Sequence, residues 1–403
     1  MIPFEREYPL GEARQRIENE LALLGLGWQA EHHGAALHAT VVALHDDAGN
    51  AVCTGVGKGR RDFALTGALF EACEHYLALH HPCSLNHALL AAHQVPTGLG
   101  APVDQLLGAQ GEAALACRIY TGFLDGACAA YPLALSRPTY VAEPDSDDTF
   151  DYTGLARYAS NSGTAIGSTF AEATLHALNE CIERDDTSQF LRTHFHADAD
   201  VPLRVLDERG TASVLRRDWA DAEAEVGASI TLLDISTHTA ARTYLAFAAR
   251  PGRPQHLYGA GTSADAAHAA CRALAELVQM HTVADNVPAV ATDLAREARA
   301  LRPWPRLRRS WLADLPALCR RRRLDRVTLP PRDTSRSVPD QLERSMTALA
   351  DEGFRPLVHT LHARHGTVAL CQVLVPGFDR YYLVSRGSIV VPGFIHGGPH
   401  GHA

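Results

Sequence analysis

Three stretches of the chain repeat one arrangement of acids. Ala68 to Glu74 (ALFEACE), Ala177 to Glu183 (ALNECIE) and Ala273 to Gln279 (ALAELVQ) all read A-L-x-E-x-x-E/Q. On a helix, residues three apart share a face, so each copy presents a pair of polar groups together: Glu71 with Glu74, Glu180 with Glu183, Glu276 with Gln279. At roughly 100° per residue, Glu172, Glu180 and Glu183 fall within an arc of about 80°, and Arg272, Glu276 and Gln279 within about 60°. The flanking residues are Ala, Leu, Ile, Val and Cys, types typical of interiors, so these stripes are expected in a cleft. Clustered buried acids repel one another and lose hydration, and they stay ionised only beside a cation. Magnesium suits oxygen ligands and is commonly held by a few carboxylates together with substrate phosphates. Ordinary surface glutamates paired with Arg184 or His75 would explain any single copy. They would not explain three matching ones.

The basic residues add a second signal. Lysine and arginine together number 37, and Lys58, within GVGKG, is the one lysine. A coding bias toward arginine accounts for the excess but not for the exception, which marks a place for a slim cation where a planar fork would not fit. Glycine- or serine-rich stretches precede all three acidic helices: GKG before Asp62, SNSGTAIGST before Phe170 and GAGTSAD before Ala266. They are read as loops whose free N–H groups could cradle phosphate. The Walker pattern is not met, since position 52 is Val and position 59 is Gly. Nor are GxSxG, HExxH or GxGxxG present.

The elements that must position these residues follow from periodicity. Helices are expected over 13–24, 62–79, 170–190 and 266–283, and strands over 37–46, 229–236 and 242–250, with strand-like alternation again from residue 356 to 384. The acidic stretch EPDSDDTFDY reads as a loop or boundary, and residues 302–326 are strongly basic, an arginine-rich surface or a patch for an acidic partner. Interleaved helices and strands predict an α+β fold of mixed layers. A length of 403 residues gives ample core for one large domain or two. With 46% hydrophobic and 21% charged residues, and no apolar run of membrane-spanning length, the chain is globular. A net charge of -9 offers no general attraction to nucleic acid or acidic membranes. The first twenty residues lack a signal-peptide core, and the nine cysteines form no CxxC pair, so a cytoplasmic protein without disulfides or a zinc ribbon is expected.

Together, GVGKG followed by ALFEACEHY, SNSGTAIGSTFAEATLHALNECIERD, GAGTSADAAHAACRALAELVQ and the later VLVPG resemble the YcaO family, ATP-dependent enzymes that activate peptide backbone amides. These segments run from about residue 51 to 377, and the central one is the most specific. The resemblance implies a YcaO-type fold with three acidic helices converging on an ATP site. Its expected divisions are an N-terminal helix-strand segment (1–50), a catalytic domain (51–391) and a tail (392–403). It implies Glu71, Glu74, Glu180, Glu183 and Glu276 as magnesium-facing acids. Lys58, Arg184 and Arg272 would be phosphate contacts, Ser160 and Gln279 nucleotide-pocket residues, and Glu172 an organiser of the central helix. Glu180 and Arg184 carry the expected catalytic roles. Gly67 and His75 depart from the serine and arginine frequent in the family's first motif.

The chemistry implied is addition of a nucleophile to a peptide carbonyl and phosphorylation of the oxyanion by ATP, giving an azoline from Cys, Ser or Thr, or a thioamide from a sulfide donor. A nucleotide-binding subunit without its own chemistry is the remaining alternative. The implied partners are a precursor peptide and a leader-peptide-binding protein, with a homodimer possible; neither nucleic acid nor membrane is among them. In the tail, His396, His400 and His402 read either as a disordered end or as metal ligands. The resemblance adds a tail that enters the active site, with His400 or His402 as acid or base.

Overall fold

The computed structural model describes residues 2–80, 87–207, 213–250, 257–286, 288–331 and 337–393. Helix α1 (Leu10–Leu23) leads into an antiparallel sheet of β1 (Gly27–His33), β2 (His38–His45) and β3 (Ala51–Gly59), in that order, with helix α2 (Arg61–His80) packed along β2 and β3. A second, antiparallel sheet has the order β4 (Ala88–Ala91), β5 (Ala114–Gly122), β13 (Leu357–Ala363), β14 (Ala369–Leu374) and β7 (Thr164–Gly167); β6 (Cys128–Pro132) also pairs with β5. Helices α3 (Ala101–Gly108) and α4 (Leu133–Ser136) lie in its connections. The third sheet has the order β11 (Tyr258–Ser263), β10 (Arg242–Ala248), β9 (Ile230–Asp234), β8 (Leu203–Leu206) and β12 (Leu324–Val327); only its β8–β12 pairing is parallel.

Helix α5 (Phe170–Leu191) packs against β7 and β14 of the second sheet and β10 and β11 of the third. It is buried around much of its circumference, with Glu172, Asn179, Glu183, Asp185 and Asp186 among the buried residues, so its polar groups must find partners inside the layers. Helix α7 (Ala266–Asn286) covers the third sheet beside α6 (Ser213–Val226), and α11 (Val338–Asp351) packs on α5. The remaining helices are α8 (Pro288–Ala300), α9 (Pro305–Leu312) and α10 (Leu315–Arg321). Fold class is therefore as the sequence indicates, mixed helices and sheets in layers.

One unit recurs three times: β3 runs into α2, β7 into α5, and β11 into α7. Apart from Gly163, which lies in a turn at φ 83° just before β7, the glycines of these segments are strand residues, which corrects their reading as phosphate-cradling loops. A Cβ on Gly55 would lie 2.2 Å from Ala72 N, and one on Gly57 1.8 Å from Ala64 O. On Gly259 and Gly261 it would lie 2.3 Å from Leu277 N and Ala269 O, and on Gly167 2.6 Å from Ala173 N. Bare glycine edges let each helix backbone settle directly on its strand, with small alanines supplying the matching surface. Lys58 thus lies in a strand, not a turn.

Part of the basic segment has an internal role. Arg309, Arg321 and Arg322 converge on Asp198, a residue in the left-handed region at φ 56°. Buried His238 bridges Asp185 of α5 at 2.9 Å and Glu352 at 2.7 Å, and stacks on Phe378. Asp186 accepts hydrogen bonds from Thr237 and Thr243, so the lower half of α5 is fastened to the third sheet. No helix among the described residues is long and apolar enough to cross a membrane.

Candidate active site

Lys58 projects from β3 onto Glu276 of α7, pairing Nζ with Oε2. Gln279, one turn on, donates to the Val56 carbonyl at 2.8 Å, while Glu71 of α2 accepts the Val56 N–H at 3.2 Å. Glu74 accepts the Ile166 N–H of β7 at 2.9 Å, and Glu180 accepts the Gly163 N–H at 3.4 Å. The first and third acidic helices are thereby tied to β3, and the first to the strand feeding the second. Arg184 lies 3.5 Å from Glu180 and over the Tyr382 ring, 5.3 Å from its centroid.

The electrostatics of this cluster are out of balance in favour of carboxylate. Burial, and then the charge of Glu276, pushes Glu183 up to about 7. Burial, then Glu180 and Glu71, pushes Glu74 well above the carboxylate range, and burial also raises Glu71. Glu276 moves the other way: burial would raise it, but Lys58 and Arg184 outweigh burial and keep it ionised. Glu183 and Glu71 each feel Glu276, and Glu74 feels Glu180 and Glu71, so the charges of the three helices act on one another.

Two arginines face the same region with unused donors. Arg272 of α7 lies 3.4 Å from His176 of α5, and its Nε, like that of Arg184, is buried without a hydrogen-bond partner. Buried donors of charged groups are costly to leave unpaired, and an oxyanion is the partner that satisfies both. Burial and the neighbouring charges of Arg272, Arg6 and Lys58 hold His176 well below its ordinary value. It is neutral there.

The N-terminal segment packs against the second and third strand–helix units, contacts that the sequence reading missed. Glu5 is 5% exposed, in the left-handed region at φ 58°, and accepts hydrogen bonds from Asn179 at 3.1 Å and Ser263 at 2.5 Å. Phe4 packs on His268, 5.2 Å between ring centroids, and Glu7 bonds Thr169 at the start of α5. The available signal was EREY, two acids and an arginine directly before the first helix.

Other expected residues sit differently. Glu172 spends both oxygens on the backbone N–H groups of Ser168 and Glu7, fixing the start of α5 and the N-terminal segment. Ser160 is buried and bonded to Tyr382 and Ser162; it is Ser162 that lines a small cavity with Cys181, Arg184 and Tyr382. Cys181 donates to the Val373 carbonyl, and burial raises its thiol, as it does that of Cys73, so neither is a nucleophile. His75 bonds the Thr54 carbonyl at 2.8 Å. His396, His400 and His402 lie outside the described residues.

Among the described residues no three His, Cys, Asp or Glu side chains are gathered tightly enough to enclose a metal ion. Lys58, Arg184 and the amides of Val56, Gly163 and Ile166 hold the acids in place separately. The donor set fits hard divalent cations shared with phosphates: carboxylates raised by burial and then by one another on one side, unsatisfied arginine Nε donors on the other. Glu71, Glu74, Glu180, Glu183 and Glu276 are the residues that would hold such ions.

Solved structures share this fold. YcaO from Methanopyrus kandleri, bound with AMPPCP and Mg2+, superposes with a TM-score of 0.67 at 17% identity, covering 98% of this chain and 97% of that one. A heterocyclase in complex with substrate and cofactor gives 0.64 at 15% identity, over 93% of this chain and 53% of that one. The E. coli microcin synthetase McbBCD complex with pro-MccB17 gives 0.58 at 11% identity, over 88% of each chain. Comparison with curated protein sequences gave no match. The family model described as YcaO cyclodehydratase, ATP- and Mg2+-binding, matches residues 56–379, which run from within β3 past the third strand–helix unit and include the acids of all three helices, and the chain therefore belongs to the YcaO family.

Proposed function

We propose that this protein is an ATP-dependent enzyme that activates backbone amides of a ribosomally made peptide, converting Cys, Ser or Thr to azolines. The observation that carries the reading is one cluster in which raised carboxylates (Glu74, Glu183) lie with Glu180 and Glu276 beside arginines whose buried Nε donors are unsatisfied (Arg184, Arg272). Such a cluster suits a polyphosphate with its divalent cations better than it suits either alone.

In this reading the substrate nucleophile adds to its own preceding carbonyl, the oxyanion attacks the γ-phosphorus of ATP, and ADP leaves. The addition closes the ring, and departure of the phosphorylated oxygen as phosphate, with loss of the former amide N–H proton, forms the C=N bond of the azoline. Magnesium, when bound, neutralises phosphate charge. The chain's residues supply position and counter-charge. Lys58 leaves Glu276 for a phosphate oxygen, Arg272 and Arg184 donate to phosphate through the Nε and Nη groups, and Glu180 keeps Arg184 oriented. Gln279, anchored on β3, borders the nucleotide. The described chain ends at Gly393, whose carbonyl accepts from Arg192 and whose N–H donates to Asp379, a wall of the cavity that also holds Arg184. This supports a tail that continues toward the site with His400 or His402 as acid or base. A cytoplasmic location, a precursor peptide as substrate and a separate leader-binding protein as partner complete the proposal.

The test is ADP release with candidate precursor peptides, followed by mass spectrometry of the peptide. Loss of one water identifies an azoline, and exchange of oxygen for sulfur with added sulfide identifies a thioamide. Lys58→Ala should abolish turnover. ATP binding without any peptide-dependent turnover, with and without partner proteins, would sink the catalytic reading in favour of a binding subunit.

A further inference from the structure

Residues 302–326 carry nine arginines against two aspartates, within a chain of net charge -9. Helix α9 and the link from α10 to β12 bring several of them together around Asp198, which Arg309, Arg321 and Arg322 approach at 3.5, 3.0 and 2.7 Å. Arg322 also reaches Asp200, at 3.5 Å, and Arg323 pairs with Asp325 at 3.0 Å. These contacts take up only part of the positive charge. Arg302, Arg306, Arg308 and Arg320 are exposed and, among the described residues, form no ion pair. Trp304, directly before α9, is 49% exposed between two prolines. An exposed tryptophan among arginines is the composition of a contact surface, since these two residue types are enriched where proteins bind one another.

The face runs to the edge of the candidate active site. Helix α9 packs on the turn at Arg192–His196, where Arg309 donates to the carbonyls of Phe195 and His196. Burial, and then the charges of Arg306, Arg309 and Arg192, lowers His196, so these arginines surround one ring. Arg192 in turn donates to Gly393 O at 3.1 Å and lies 3.8 Å from Asp379, a wall of the small cavity that holds Arg184. A peptide with one residue beside Arg184 therefore has a basic path outward, past Arg192 to Arg306.

We propose that this face docks an acidic segment of the peptide substrate, next to the part whose amide reacts. The inference rests on the peptide reading of the active site. Asp198 already occupies the face from within, so guanidinium groups arranged around a carboxylate stand beside others that have none. A polynucleotide fits less well. Outside this segment the chain is acidic and repels a long phosphate backbone, whereas a short peptide meets the patch alone.

The experiment measures fluorescence anisotropy of three labelled probes with the full chain: a twelve-residue peptide of alternating Glu and Gly, the same peptide with Gln in place of Glu, and an oligothymidylate of equal length. The Glu peptide should bind the parent at least about tenfold tighter than the Gln peptide, and more weakly as salt rises. Combining Arg302→Gln, Arg306→Gln and Arg320→Gln, all at exposed positions, should weaken that binding about tenfold or more and leave ATP binding unchanged. Arg217→Gln with Arg296→Gln, at exposed positions outside the segment, should bind the Glu peptide like the parent. No binding of the Glu peptide, equal binding of the Glu and Gln peptides, tighter binding of the oligothymidylate, no loss in the triple variant, or an equal loss in the control variant overturns the proposal. Failure of ATP to bind the parent would instead overturn the proposed function, and the peptide titrations would still decide the docking face.

Discussion

Glu74 Oε2 accepts the backbone N–H of Ile166 at 2.9 Å, fastening the first acidic helix to the strand that leads into the second. The same carboxyl is raised well above its ordinary range by burial and by Glu180 and Glu71. Its structural and electrostatic roles are therefore separable. In Glu74→Gln the amide oxygen still accepts from Ile166 while the charge is gone. The melting temperature of the ligand-free protein should hold or rise slightly, and the shift produced by magnesium with ATP should shrink. A large drop in ligand-free stability would show that the charge itself holds the fold.

Glu183 gives a pH dependence with a defined sign. Its value of about 7 means the folded chain keeps a proton that the unfolded chain has released by then, so ligand-free stability falls as pH rises from the carboxylate range through 7. A cation competes with that proton. Affinity for magnesium-nucleotide should accordingly rise between pH 6 and 8, by up to about tenfold per unit below the titration point, and the rise should flatten in Glu183→Gln. Calorimetric titrations at several pH values check this; a parent slope that Glu183→Gln leaves unchanged would assign the proton elsewhere.

His238 makes the opposite kind of contribution. Burial would lower it, but the hydrogen bond and charge of Asp185, with Asp186 and Glu352, raise it to about 9. A histidine raised from 6.5 stabilises the fold fully below that pH and loses the contribution as pH passes 9. The amount is on the order of 3 kcal/mol at most. Urea unfolding at pH 6.5 and 9.5 should show the decline in the parent and much less of it in His238→Gln.

Removing residues 396–403 tests the tail. ATP binding should persist and peptide turnover should fall, measured separately. Unchanged turnover would make those histidines bystanders.

Much of the site was legible because its signal is local. Glu180 and Glu183 share a face whatever they pack against, and the A-L-x-E-x-x-E/Q pattern marks that face on each of the three helices. The glycines misled, since a loop reading and a close-packing reading use the same residue. Yet Gly55 with Gly57, and Gly259 with Gly261, are spaced by two, the period of one strand face. That spacing carried the strand signal. Glu5 was harder to read: it lies outside any regular element, and its partners Asn179 and Ser263 are 174 and 258 residues away. The charges of EREY mark the segment but do not say what it meets.

The lone lysine has a practical consequence. Reductive methylation with a labelled carbon source retains the positive charge and, apart from an α-amine that titrates separately, marks a single side chain. Lys58 is 26% exposed, open enough for a small reagent, and its ammonium rests on Glu276. The wild-type chain is in this sense already a one-probe spectroscopic sample. The methyl resonance of that residue would register the moment its partner changes from a carboxylate to any other anion.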